Sequence, residues 1–117
     1  MIETVYAVGD IHGCHKELIH LQNKIYKDAQ KSGGPKLLIY LGDYIDRGPE
    51  ITHCIQSLLD FRPRDFTIVY LLGNHEQMLL DFIAEKKDSL YLWLGNGGTE
   101  TLDSYGVNVS QYIDDDF

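Results

Sequence analysis

Three apolar runs in this chain each end at a glycine, and each glycine is followed at once by a side chain suited to binding metal or moving a proton. The runs are Thr4 to Val8 (TVYAV), Lys36 to Leu41 (KLLIYL) and Phe66 to Leu72 (FTIVYLL). Short stretches rich in β-branched and aromatic residues, closed by glycine, predict buried strands. Between them the period changes to that of a helix. From Lys16 to Gln30 the residues Leu18, Leu21, Ile25 and Ala29 recur at helical spacing, and Gly33-Gly34-Pro35 stops the run. After Pro49, Ile51, Cys54, Ile55, Leu58 and Leu59 form a second stripe, broken at Arg62-Pro63-Arg64. A third helix is expected from about Glu76 to Lys87. The order β-α-β-α-β-α implies an α/β fold with a mostly parallel sheet covered by helices. Tyr91 to Leu94 and Thr99 to Tyr105 read as short helical pieces around Gly95-Asn96-Gly97-Gly98, and the end, SQYIDDDF, reads as a ragged tail.

In a parallel sheet the strand C-termini share one edge, where ligands and active sites collect. The loops there are Gly9-Asp10-Ile11-His12-Gly13, Gly42-Asp43-Tyr44-Ile45-Asp46-Arg47-Gly48 and Gly73-Asn74-His75-Glu76. The topology therefore gathers Asp10, His12, Asp43, Asp46, Arg47, Asn74 and His75. Carboxylate, amide and imidazole donors without a thiolate suit manganese, iron or zinc. Asp43 is central enough to bridge two cations, and a metal pair clamps a phosphoryl group for in-line displacement. Any one Gly-Asp or Gly-Asn pair is an ordinary turn; three of them, each after a strand, make a site.

The charge sets a constraint on that site. The 117 residues carry a net charge of −8, with 44% apolar residues, enough for the core of one domain. So acidic a chain is a poor partner for nucleic acid or an anionic membrane. An anionic substrate would need bound divalent cations to reverse the local field. Cys14 and Cys54 fit no zinc or disulfide pattern and read as buried, reduced thiols. No signal peptide or spanning segment is visible, so a soluble cytoplasmic protein is the expectation.

The three loops resemble the signature motifs of the calcineurin-like metallophosphoesterases, in particular the bacterial and phage serine/threonine protein phosphatase branch. GNHEQM at Gly73 to Met78 and WLGNGG at Trp93 to Gly98 are similar to that branch. The resemblance implies an α/β/β/α sandwich whose β-α-β-α-β-α half is present here. It implies two divalent metal ions, manganese first and iron or zinc next, sharing a hydroxide. Asp10 and His12 would bind the first metal, Asp43 would bridge and Asn74 would bind the second. His75 would protonate the leaving group, oriented by Asp46, and Arg47 would hold the phosphate.

Two departures follow. The family completes its second metal with two later histidines and adds a later arginine, whereas here no His lies beyond His75 and no Arg beyond Arg64. Residues 1–117 are thus expected to be a single truncated metallophosphoesterase domain, or one completed by a partner chain. Such a half would expose an apolar sheet face and an unpaired edge, and is expected to self-associate or to be poorly stable as a monomer. Second, Leu72 stands where the protein phosphatases commonly have Arg, which is closer to the symmetrical dinucleoside polyphosphate hydrolases. The expected function is therefore a phosphatase acting on phosphorylated protein or a small phosphoester. The alternatives are a dinucleoside polyphosphate hydrolase and a catalytically weak metal- and phosphate-binding fragment. His15, His20 and His53 are expected on helix surfaces or in helix packing, Met78 and Leu79 toward the core, and Asp114 to Asp116 in a solvated tail. Trp93 with Asn96-Gly97-Gly98 either rims the substrate site or simply ends a helix.

Overall fold

A computed structural model describes residues 2–108 of the chain. Its elements are β1 (Thr4–Val8), α1 (His15–Ala29), β2 (Lys36–Tyr40), α2 (Ile51–Asp60), β3 (Phe66–Tyr70), α3 (Asn74–Ile83), α4 (Ser89–Trp93) and α5 (Thr99–Ser104). A kinked, widened turn, Leu94–Gly98, joins the last two helices. The strands form one parallel sheet in the order β1-β2-β3, with Thr4 opposite Lys36 and Lys36 opposite Phe66. This is the α/β half-fold expected from the alternation of patterns. The tail expected at SQYIDDDF and Asp114 to Asp116 lies outside the described residues.

Side chains alternate across a strand, so one face carries Tyr6, Val8, Leu38, Tyr40 and Ile68. These pack with Leu18 and Ile25 of α1 and Cys54 and Leu58 of α2 into one core. Two right-handed crossovers running the same way put both helices on that face. The sheet is therefore not covered on both sides. Val5, Leu41, Val69 and Leu71 on the other face are 37% to 57% exposed.

The buried stripe of α1 departs from expectation. Leu21 is exposed, and Gln22 lies inside with Leu18, Ile25 and Ala29. Position 22 completes the i, i+4, i+7, i+11 row. Its amide is accommodated because it donates to the Tyr40 hydroxyl at 3.0 Å. Helix α3 begins two residues earlier than expected. Asn74 and His75 are thus in its first turn, and His75 is held at a fixed angle. Met78 and Leu79 pack against the core as expected. His15 contacts Ser57 of α2 at 2.9 Å, and His20 and His53 are exposed. Cys54 is buried, but Cys14, placed just before α1, is exposed. No helix among the described residues is long and apolar enough to cross a membrane.

Candidate active site

The first two loops are laced together through their backbones. The N–H groups of Ile11 and His12 both donate to the Asp43 carbonyl at 3.0 Å, and Gly13 N–H donates to the Tyr44 carbonyl at 3.1 Å. Gly48 permits the approach. A Cβ there would stand 1.6 Å from the His12 carbonyl oxygen, so no side chain fits. The third loop is tied in by Glu76. Its carboxylate accepts the N–H groups of Asp43 (2.6 Å), Tyr44 (2.9 Å), Ile45 (3.4 Å) and Gly73 (3.0 Å). The last of these caps the N-terminus of α3 from within the helix. Tyr44 closes the arrangement by donating its hydroxyl to the Leu71 carbonyl at 2.7 Å.

On this frame Asp10, His12 and Asp43 converge, each offering a ligand atom within 4.8 Å of the others. His12 Nδ1 lies 2.8 Å from the Ile45 carbonyl, which can only accept, so Nδ1 carries the proton and Nε2 keeps its lone pair. Nε2 stands 3.7 Å from Asp10 Oδ2. Asp43 spends Oδ1 on the His75 N–H at 3.0 Å. Among the described residues no Lys or Arg pairs with Asp10 or Asp43. Two carboxylates and an imidazole lone pair without a cationic partner fit a divalent cation.

Beside it sits a buried acid–base pair. His75 Nδ1 is 2.7 Å from Asp46 Oδ2, and the His12 and His75 rings meet edge to face with centroids 4.6 Å apart. Asp46 is fully buried. Its carboxylate accepts the Trp93 indole N–H, shared between Oδ2 (2.8 Å) and Oδ1 (2.9 Å), and the Thr101 hydroxyl at 2.7 Å. Every lone-pair direction that counts is used, which is what keeps a carboxylate tolerable inside.

The sequence that builds this geometry has named relatives. The calcineurin-like phosphoesterase family model matches residues 3–115. The chain belongs to that family. It is 40% identical over 94 residues to a Salmonella typhimurium protein named serine/threonine-protein phosphatase 1, a match covering 80% of this chain and 38% of that one. It is 37% identical over 89 residues to a symmetrical bis(5'-nucleosyl)-tetraphosphatase of Buchnera aphidicola, covering 74% and 28%. An asymmetrical bis(5'-nucleosyl)-tetraphosphatase of Halalkalibacterium halodurans is 31% identical over 84 residues, covering 68% and 34%. The chain thus spans well under half the length of these relatives.

Of the residues read from sequence, Asp10, His12 and Asp43 come together, and His75 meets Asp46. Asn74 stands exposed at the start of α3, next to His75. Arg47 is exposed, with its backbone N–H donating to the Gly97 carbonyl at 3.1 Å. Trp93 is the last residue of α4 and is buried with its indole N–H on Asp46, while Gly97 of the following turn lies against Arg47. The residues missed are the supporting ones, Glu76, Trp93 and Thr101. A Glu three places after an extended glycine is a readable capping signal. Nothing local marks Thr101, 55 positions from the carboxylate it serves.

Proposed function

We propose that this chain carries the metal-binding and proton-donating part of a serine/threonine-phosphatase-like metallophosphoesterase acting on phosphomonoesters. The observation that carries the reading is the convergence of Asp10, His12 and Asp43 beside the buried His75–Asp46 pair. Asp10 and His12 would hold one divalent ion, manganese first, Asp43 would bridge it to a second, and Asn74 would bind that second ion. When bound, such a pair polarises the phosphoryl group and makes water nucleophilic near neutral pH. Arg47, exposed and without a side-chain hydrogen bond or ion pair among the described residues, is placed to grip phosphate oxygens with its planar fork. His75 hands its Nε2 proton to the leaving oxygen. Asp46 holds the ring by Nδ1, so that Nε2 alone points outward from the pair.

A dinucleoside polyphosphate as substrate is the second reading. Leu72 at the position before Gly73 favours it, as do the relatives named bis(5'-nucleosyl)-tetraphosphatases. The test is a manganese-loaded preparation assayed on a phosphoserine peptide, 4-nitrophenyl phosphate and diadenosine tetraphosphate. Turnover of the first two, with His75→Ala slowing the phosphoserine peptide by about 10²–10⁴-fold at unchanged metal content, supports the first reading. Turnover of diadenosine tetraphosphate alone selects the second. Failure to bind any divalent ion, or metal binding unaffected by Asp43→Ala, would overturn both.

A further inference from the structure

Asp46 and Arg47 are consecutive, and both have left-handed backbones, with φ of 75° and 67°. Asp tolerates that region better than most residues but Arg does not, so two in succession call for support from outside the loop. Besides His75 on the Asp46 carboxylate and the Gly48 N–H on the Asp46 carbonyl, the groups that hold the pair come from one stretch, Trp93 to Thr101. Asp46 N–H donates to Thr101 Oγ1 at 2.9 Å, and the same hydroxyl donates to Asp46 Oδ1. The Trp93 indole N–H bridges both carboxylate oxygens. Arg47 N–H donates to the Gly97 carbonyl. The stretch is shaped for this task. Gly97 has φ of 100°, and a Cβ on it would lie 2.5 Å from Arg47 Cγ. A Cβ on Gly98 would lie 2.6 Å from the Trp93 ring. The ring itself is fully buried, with Phe82 beside it at 5.6 Å between centroids.

We propose that Trp93–Thr101 is a clasp that positions Asp46 and Arg47, with Trp93 and Thr101 as positioning residues for the acid and Gly97 for the phosphate grip. The proposal rests on the roles given above to His75 and Arg47, and it deepens them. It divides the labour. Loosening Asp46 misdirects the His75 ring and slows proton delivery, which matters for an alkoxide leaving group and little for a stable phenolate. Loosening Arg47 weakens substrate binding instead.

The test compares Thr101→Val, Thr101→Ser, Trp93→Phe and Gly97→Ala in the manganese-loaded chain. Melting temperature and metal stoichiometry identify any variant that fails to fold. Thr101→Val keeps the volume and deletes both hydroxyl bonds; Thr101→Ser keeps them. The expected result is a kcat on the phosphoserine peptide that falls about tenfold further than on 4-nitrophenyl phosphate in Thr101→Val and Trp93→Phe. Thr101→Ser recovers it, and Gly97→Ala raises KM. Equal losses on the two substrates, or a Ser variant no better than Val, would overturn the clasp. Should the unaltered chain turn over neither substrate, the phosphomonoesterase reading falls, and the clasp is judged separately by its hydrogen bonds. The chain has one tryptophan, so its indole N–H is a single resonance. Asp46→Ala should speed its solvent exchange by about tenfold or more, and unchanged exchange would refute the clasp.

Discussion

His12, Asp43, Asp46 and Arg47 all sit on left-handed backbone, with φ between 43° and 75°. Each such residue stores on the order of 1 kcal/mol that the surroundings must repay. Glu76 supplies much of the repayment, because one carboxylate serves four N–H groups drawn from two loops. Glu76→Gln turns one acceptor oxygen into a donor facing those donors. The expected loss is about 2 kcal/mol, or about 10 °C in thermal midpoint, with manganese affinity lowered about tenfold. Calorimetry on the two proteins checks both figures, and a variant with unaltered metal affinity would remove Glu76 from the account. The thiols give a second prediction. Burial foremost, with smaller repulsion from Cys14 and nearby carboxylates, pushes the Cys54 thiol up to about 12. A raised folded value means that the unfolded chain loses its proton first. The stabilisation is complete below about pH 9 and is lost as pH climbs from 9 toward 12. Iodoacetamide should therefore label Cys14 in the native protein and Cys54 only on unfolding, as mass spectrometry of the digested chain would report. Burial of Cys54 was legible in its helical stripe. The exposure of Cys14 was not, because it stands in a turn where no period applies.

The strands and the first two helices were readable because each has one clear period and one clear stop. The discrepancies arise where a tertiary bond outweighs the local pattern. Gln22 displaces Leu21 from the buried row because Tyr40 offers its hydroxyl, and α3 starts at Asn74 because Glu76 closes its first turn. The convergence of the candidate site residues was legible for a related reason: Asp10, His12, Asp43 and His75 follow strand ends, where topology alone fixes their neighbourhood. Trp93 and Thr101 lie on α4 and α5, whose approach to the second loop no pattern announces. At this scale the junction of the two loops is the weak point. Gly48→Ala sets a methyl group against the His12 carbonyl and must pry the loops apart. The ligand triad spans that junction, so the variant should lose manganese affinity by about tenfold or more while the core of α1, α2 and the sheet keeps its helical circular dichroism. Metal titration alongside far-ultraviolet dichroism separates the two effects. Unchanged titration would mean that the loops need not touch.

Across the whole molecule, the helices of the sheet crossovers cover one face and leave the other to solvent. Val5, Leu41, Val69 and Leu71 form an apolar patch there, with the half-buried Leu37 and Ile39 between them, and the outer edges of β1 and β3 are unpaired among the described residues. Apolar area of this kind is worth about 25 cal/mol per Å² when covered, and open strand edges add hydrogen bonds to any sheet that docks. Opposing association is the net charge of −8, whose repulsion acts over about 10 Å at ordinary ionic strength and shrinks with added salt. The two terms differ in range, and that fixes the sign of the response. Salt should weaken the repulsion while leaving the apolar attraction intact, so the chain should self-associate reversibly, and more strongly in salt. Sedimentation velocity over a concentration series at low and high ionic strength measures it. Val5→Lys with Val69→Lys should restore the monomer by placing charge in the patch without touching the candidate metal site on the strand-end edge. A chain that stays monomeric at every concentration and salt level would show that this face is shielded by something other than a second copy.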